Sequence, residues 1–194
     1  MKKIFLFFAA VAMTAGVMSA QDINQATEAY NNGAMELQMG NNAAAVENFK
    51  TALTMGEALG DEGADLVANC KKAISSAYLS KAKDLYNAKD FDGAVTAFQQ
   101  AKEVAEGYGE AEIAAEAGEL IGQTEMLKYN TAGKEAMKAK DYPTAIANFS
   151  KVLEMDPANG GVAIQLGQAY MRAGQLDESI AALETAKANG EEEN

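Results

Sequence analysis

The sequence predicts an all-α protein built from helix–turn–helix hairpins that follow one another along the chain. The segment AKDFDGAVTAFQQAKE at 88–103 returns as AKDYPTAIANFSKVLE at 139–154, with each matched residue displaced by 51 positions. The 194 residues include only two prolines and are rich in Ala, Glu, Lys, Leu and Gln, which favour helices. Such a repeat indicates that one supersecondary unit occurs several times.

A wider pattern of a small residue, an apolar residue, a Phe or Leu and a second small or apolar residue occurs four times. Its copies are Ala45-Val46…Phe49…Ala52, Ala94-Val95…Phe98…Ala101, Ala145-Ile146…Phe149…Val152 and Ser179-Ile180…Leu183…Ala186. At a constant distance before each copy lies one more small residue, namely Gly33, Ala82, Gly133 and Gly167. Small residues at these positions allow two helix backbones to approach closely, with Phe or Leu filling the space beside them.

Between the two helices of each hairpin we expect a short turn, at GNN 40–42, KDF 89–91, KDY 140–142 and GQL 174–176. The last two copies are 34 residues apart, Pro157 follows the third copy, and Leu166, Gly167 and Tyr170 open the fourth. These features resemble the tetratricopeptide repeat family, a 34-residue helical hairpin. The resemblance implies an α-solenoid, in which stacked hairpins form a right-handed superhelix and the first helix of each hairpin lines the concave face.

The resemblance is uneven, because Asn32 and Glu36 stand in the first copy where the family prefers Leu and Tyr, and the second copy has Lys81. The first and second junctions are longer than the 34-residue period by 15 and 17 residues. We expect these inserts, near 60–74 and 109–125, to lengthen the first helices of the second and third hairpins. Gly118 and Gly122 leave open a kink or a separate short helix. The predicted repeats are about 26–59, 64–108, 110–159 and 160–190, within a domain of residues 21–190 that precedes an acidic tail at 191–194.

Residues 1–20 are predicted to be a secretory signal peptide. Lys2 and Lys3 precede a short apolar run at 4–17, and Met18-Ser19-Ala20 forms a cleavage site. A retained membrane anchor is the alternative, but the run is shorter than the roughly 20 residues that span a bilayer. We therefore expect a periplasmic or secreted protein that is not inserted in the membrane after processing.

The chain is strongly acidic, with 16 basic and 28 acidic residues and a formal net charge of −12. Removing residues 1–20 also removes Lys2 and Lys3, so the predicted mature chain is more acidic still. Such a charge disfavours binding to nucleic acid. Cys70 is the one cysteine and lies at helical spacing from Leu66 and Ile74, which predicts a small buried residue rather than a reactive thiol.

The sequence predicts neither an enzyme nor a cofactor or metal site. It contains no histidine, which excludes Ser-His-Asp and Cys-His catalysis and most zinc chemistry. Ser80 and Lys83 satisfy a Ser-x-x-Lys pattern, but the companion motifs of penicillin-binding enzymes are absent. The DFDG at 90–93 begins like a calcium loop yet lacks the later ligands, and its position in the repeat makes it a hairpin turn.

The informative surface is the concave face implied by the resemblance. None of its 24 mapped positions is acidic, although the composition would place about four acids among them. Amides can hydrogen-bond an extended backbone, Tyr and Met offer apolar contacts, and Lys or Arg can meet carboxylates. The predicted partner-binding residues are Tyr30, Asn31, Gln38, Lys83, Tyr86, Asn87, Asn130, Lys134, Met137, Lys138, Gln168, Met171 and Arg172.

The sequence therefore predicts an exported, non-catalytic scaffold that binds an extended, acidic protein segment in its groove. It does not match the carboxylate clamp of chaperone-binding relatives, because Tyr30 and Ala34 occupy the positions of the first Lys and Asn. Two alternatives stay open. One is self-assembly, as a homodimer through an apolar edge of the C-terminal hairpin near Ile180 and Leu183. The other is binding of a glycan or small ligand.

Overall fold

The computed structural model describes residues 20–190, which form eight α-helices and no strand. The helices are α1 (Ala20–Gln38), α2 (Asn42–Ala58), α3 (Ala64–Asn87), α4 (Phe91–Tyr108), α5 (Ala111–Ala139), α6 (Tyr142–Met155), α7 (Gly160–Ala173) and α8 (Leu176–Ala188). A single 3₁₀ turn, Gly60–Gly63, precedes α3. The predicted all-α class is confirmed. None of these helices is both long and apolar enough to cross a membrane.

The predicted signal peptide lies outside the described residues except for Ala20, the first residue of α1, and it stays a prediction. The acidic tail at 191–194 also lies outside them. Contacts divide the chain into two compact units. The first contains α1, α2 and the beginning of α3, and the second starts at Lys71 and contains the rest of α3 and α4 to α8.

Both inserts lengthen first helices, as predicted. The helix α3 has 24 residues and α5 has 29, against 14 in α7. At 1.5 Å per residue, α5 is about 44 Å long. Gly118 and Gly122 neither split nor end it, because its hydrogen-bond ladder continues through both positions.

The turns within the four hairpins share one geometry. One or two residues after the first helix ends, a residue adopts a left-handed conformation: Gly40, Lys89, Lys140 and Gly174 have φ of 78°, 61°, 61° and 80°. The following N–H then donates to the carbonyl five residues earlier, as from Asp141 to Ala136 (2.9 Å), which closes the helix end. In the two Lys-Asp copies the Asp also caps the next helix. Asp90 accepts from the Gly93 N–H (3.0 Å), and Asp141 from the Thr144 N–H (3.2 Å).

The hairpins close around the predicted small-residue contacts. A Cβ placed on Gly133 would lie 2.6 Å from Phe149 Cε1, and one on Gly33 would lie 2.7 Å from Phe49 Cδ1. Gly167 would place its Cβ 2.8 Å from Leu183 Cγ. Because these distances are below van der Waals contact, only glycine lets the rings and the leucine lie against the helix backbone.

The second unit contains two apolar clusters. One joins α3, α4 and the first half of α5 around Phe98, and includes Ala82 and Ile113. The other joins α5 to α8 around Phe149 and includes Leu166. Phe98 and Phe149 are fully buried. Each cluster is formed by helices that are close in sequence, which is typical of repeat proteins.

We expect Gly133→Ala to destabilise the protein by about 1–3 kcal/mol, because the new methyl group overlaps the Phe149 ring. Gly118→Ala in the same helix is the matched control. A Cβ at Gly118 meets no atom within 4 Å, so the better helix propensity of Ala should stabilise the protein by about 0.5–1 kcal/mol. Urea unfolding followed by circular dichroism measures both changes. Equal effects of the two substitutions would contradict the close-contact role of Gly133.

We expect Lys140→Gly to stabilise the protein by about 0.5–1 kcal/mol, because glycine adopts the left-handed conformation at φ 61° without the steric cost that Lys incurs. Gly174→Lys should have the opposite effect, since Gly174 holds the same position in the last hairpin. The free energy of unfolding of the two variants, measured in urea, tests this. A destabilised Lys140→Gly protein would show that the Lys140 side chain contributes more than its backbone strain costs.

Candidate functional site

The thirteen predicted partner-binding residues fall in both units. Tyr30, Asn31 and Gln38 lie on α1 in the first unit. The other ten lie in the second unit, on α3, α5 and α7. The site described below is therefore built from residues of the second unit alone.

The two predicted aromatic anchors make contacts within their own hairpins. Tyr30 is half-buried, and its ring centroid lies 5.3 Å from that of Phe49. Tyr86 is half-buried against Phe91 at 6.1 Å, in an edge-to-face arrangement. Aromatic pairs at these distances stabilise the fold, so both rings have a structural role, which the sequence analysis did not assign to them. Asn31, Gln38 and Asn87 are exposed.

Lys83 differs from its predicted role as a free cation of the groove. Its Nζ donates to Glu116 Oε1 on α5 at 2.6 Å. The pair neutralises the charge with which Lys83 was expected to attract an acidic partner. Glu116 reaches this place because the insert lengthens α5 toward its N-terminus. Lys83 therefore does not belong to the basic site.

Five inward residues of the third and fourth hairpins come together around one open pocket of about 270 Å³. Lys134, Met137 and Lys138 project from α5, and Gln165 and Gln168 from α7. The buried ring of Phe149 from α6 forms the floor. The contact between Gly133 and Phe149 holds this ring in place, one residue from Lys134. A structural contact and the candidate site thus share the same turn of α5.

The pocket is basic, although the protein as a whole is acidic. None of its six lining residues is acidic. Lys134 and Lys138 are exposed, and neither forms an ion pair with any residue of the described range 20–190. On α7 the neighbouring Met171 and Arg172 are also exposed, and they extend the same apolar and basic character. An anionic group entering the pocket would meet two ammonium groups one helical turn apart.

Two side-chain oxygens at this surface are buried without a hydrogen-bond partner, Asn130 Oδ1 and Gln165 Oε1. The Gln165 amide nitrogen donates to the Gly161 carbonyl at 3.3 Å. Buried acceptors without a donor are energetically costly, and a partner can reach these two oxygens only if the side chains reorient. Gln165 was one of the 24 mapped inward positions but not among the thirteen predicted binding residues, and its place three residues before Gln168, on the same side of α7, is the signal that could have added it.

The predicted apolar edge of the C-terminal hairpin is only partly present. Ile180 is 57% exposed. Leu183 is half-buried instead, because its side chain lies against Gly167 of α7. Leu176, which the sequence analysis did not single out, is 62% exposed and takes its place at the surface.

Cys70 is fully buried, which confirms the predicted small core residue. Burial disfavours the thiolate and raises the pKa of Cys70 from 9.0 to about 11. The thiol therefore stays protonated at neutral pH and is a poor nucleophile. In residues 20–190, no group of three or more Cys, Asp or Glu side chains is arranged to hold a metal ion.

Comparison with known proteins connects the C-terminal part of the chain to a family. The family model described as Tetratricopeptide repeat matches residues 136–193, which confirms the resemblance over the end of α5 and over α6, α7 and α8. No curated protein sequence matches the chain.

Similar solved structures include the crystal structure of BtubC (BKLC) from P. vanneervenii. It has 16% identity and a TM-score of 0.31, and the alignment covers 91% of this chain and 95% of that chain. Two crystal structures of MamA each have 18% identity and a TM-score of 0.29. Their alignments cover 81% and 86% of this chain, and 94% and 92% of theirs.

We expect Cys70 to resist thiol reagents in the folded protein. At pH 8 it should react with Ellman's reagent at least about a hundredfold more slowly than the same chain in 6 M guanidinium, because both burial and the raised pKa suppress the thiolate. Absorbance at 412 nm measures the rate. Rapid reaction under native conditions would contradict the buried position.

Proposed function

We propose that this chain is an exported, non-catalytic scaffold for protein–protein interaction that binds an extended acidic segment of an envelope protein. The observation that carries the proposal is the pocket between α5 and α7, where Lys134 and Lys138 stand beside amides and no lining residue is acidic. A protein of net charge −12 that keeps one open basic pocket selects for anionic partners by electrostatic complementarity. The match of residues 136–193 to the tetratricopeptide repeat supports a role in binding proteins.

The contacts available in the pocket favour a peptide over a small ligand. The pocket is open to solvent between α5 and α7, and Met171 and Arg172, farther along α7, are also exposed. Carboxylates of the peptide would contact Lys134 and Lys138, and its backbone would hydrogen-bond the amide of Gln168, which is partly exposed in the pocket lining. Met137 would contact an apolar side chain between the carboxylates, above the buried ring of Phe149.

The export part of the proposal rests on the predicted signal peptide at 1–20 and on the cleavage site at Met18-Ser19-Ala20. It is tested separately from binding. N-terminal sequencing of the protein from cell fractions should find Gln21 as the first residue in the periplasm or the medium. An intact Met1 in the membrane fraction would favour the retained anchor instead.

We expect the mature protein to bind a fluorescently labelled twelve-residue peptide rich in Asp and Glu, and the triple variant Lys134→Glu/Lys138→Glu/Arg172→Glu to bind it at least about tenfold more weakly. Fluorescence anisotropy at 50 and 300 mM salt measures the affinity, which should fall with salt because the attraction is electrostatic.

The matched control is Lys72→Glu/Lys81→Glu/Lys187→Glu, which changes the net charge by the same amount at three exposed lysines that do not line the pocket. It should bind within about twofold of the unaltered protein, because exposed charges at a distance are screened. Equal loss in both variants would show that net charge, and not the pocket, attracts the peptide. Binding of the peptide that does not depend on salt or on Lys134 would contradict the proposed electrostatic role of the pocket.

A further inference from the structure

The first two turns of α8 expose an apolar pair that the rest of the second unit does not cover. Leu176 and Ile180 are 62% and 57% exposed and lie four residues apart, on one face of the helix. A different face of α8 packs on α7, through the buried residues Ser179, Ala182 and Ala186. We call the pair Leu176 and Ile180, together with the flanking Asp177 and Glu184, the α8 stripe.

The equivalent residues in the earlier hairpins are more buried than this pair. Leu176 and Ile180 correspond to Phe91 and Val95 on α4, and to Tyr142 and Ile146 on α6. All four of these residues are half-buried. Ile146 packs against the cluster to which α7 contributes Val162 and Leu166. In the third hairpin this position therefore packs against the cluster that α6 shares with α7, and in the second hairpin Phe91 lies against Tyr86, whereas α8 keeps its pair exposed.

The same comparison shows the charge that a covering helix should have. Asp177 corresponds to Asp92 on α4, and Asp92 accepts a hydrogen bond from the ammonium group of Lys128 on α5, the helix that follows α4. This contact raises the pKa of Lys128, chiefly through the hydrogen bond with Asp92. Asp177 and Glu184 form no ion pair within residues 20–190, and both are exposed.

We infer that the α8 stripe docks an amphipathic helix of a different protein, one that carries apolar residues on its contact face and Lys or Arg beside them. The apolar residues cover Leu176 and Ile180, and a basic residue meets Asp177 as Lys128 meets Asp92. This surface is separate from the basic pocket and has the opposite charge, so it takes a partner of a different kind.

A second copy of this chain fits the stripe poorly. The positions on α1 that correspond to Val162, Leu166 and Tyr170 of α7 are Glu28, Asn32 and Glu36. Glu28 also occupies the position of Lys128, so α1 of another copy would bring a carboxylate toward Asp177. Antiparallel pairing of two α8 helices through Leu176 and Ile180 would instead bring Asp177 of one copy near Asp177 of the other. Both arrangements place like charges together, which disfavours the homodimer that the sequence left open.

The test uses two synthetic helical peptides, each held helical by a lactam bridge on its outer face. Both carry four leucines on one face. One has lysines beside them, and the other has glutamates at the same positions. Fluorescence anisotropy with the mature full chain should show binding of the lysine peptide, and binding at least about tenfold weaker for the glutamate peptide.

Variants of the chain show where the lysine peptide binds. Leu176→Ser/Ile180→Ser leaves the net charge unchanged. It should lower the affinity for the lysine peptide at least about tenfold, because two apolar contacts are lost. Met155→Ser, at another exposed apolar residue, should change the affinity by less than about twofold. Asp177→Lys should lower the affinity for the lysine peptide about threefold, which is the effect expected from losing one exposed ion pair. It should raise the affinity for the glutamate peptide.

Equal binding to the unaltered chain and to Leu176→Ser/Ile180→Ser would overturn the inference, since the cationic peptide would then bind the acidic surface elsewhere. Analytical ultracentrifugation of the protein alone tests whether a second copy of the chain binds the α8 stripe. We expect a monomer at all concentrations up to about 100 μM, and a dimer that Ile180→Ser abolishes would overturn the inference in favour of a second copy. Circular dichroism and urea unfolding confirm that each variant is folded.

Discussion

The close contact between a helix backbone and a large side chain is the constraint on which the hairpins depend. Gly133 against Phe149 and Gly167 against Leu183 leave no room for a Cβ, and in the second hairpin Ala82 and Phe98 are both fully buried. Because each contact joins the two helices of one hairpin, it fixes how closely they pack. The small apolar clusters can then be filled largely by alanines, which suits a chain with little aromatic content.

The turns show how the sequence specifies this packing locally. In two hairpins a Lys-Asp pair performs two tasks, since Lys89 and Lys140 adopt the left-handed conformation that ends one helix, and Asp90 and Asp141 cap the next. The other two hairpins use Gly40 and Gly174 for the first task. Recurring turn residues and recurring small residues act within a single hairpin, between residues that are close in the sequence. The sequence therefore predicts both the hairpins and their cores.

The side-chain pairs that cross between hairpins could not be predicted in the same way. Pairing of Lys83 with Glu116 depends on where the inserted residues place the first turns of α5 relative to α3, and the repeat pattern carries no information about inserted residues. Tyr30 and Tyr86 occupy inward positions but turn their rings toward Phe49 and Phe91. The α5 and α7 residues of the pocket lie in adjacent hairpins without an insert between them, so the repeat spacing carries the information that places them side by side.

The continuity of α5 has a consequence for how this sequence can vary. One uninterrupted helix carries Glu116 and Lys128, which bind α3 and α4, and also Lys134 and Lys138, which line the pocket. Each residue turns a helix by about 100°, so deleting one residue between Lys128 and Lys134 would rotate the pocket lysines to another side of the helix. An insertion of seven residues there would rotate them by only about 20°. Homologues that conserve both sets of contacts should therefore differ in this stretch by whole pairs of helical turns.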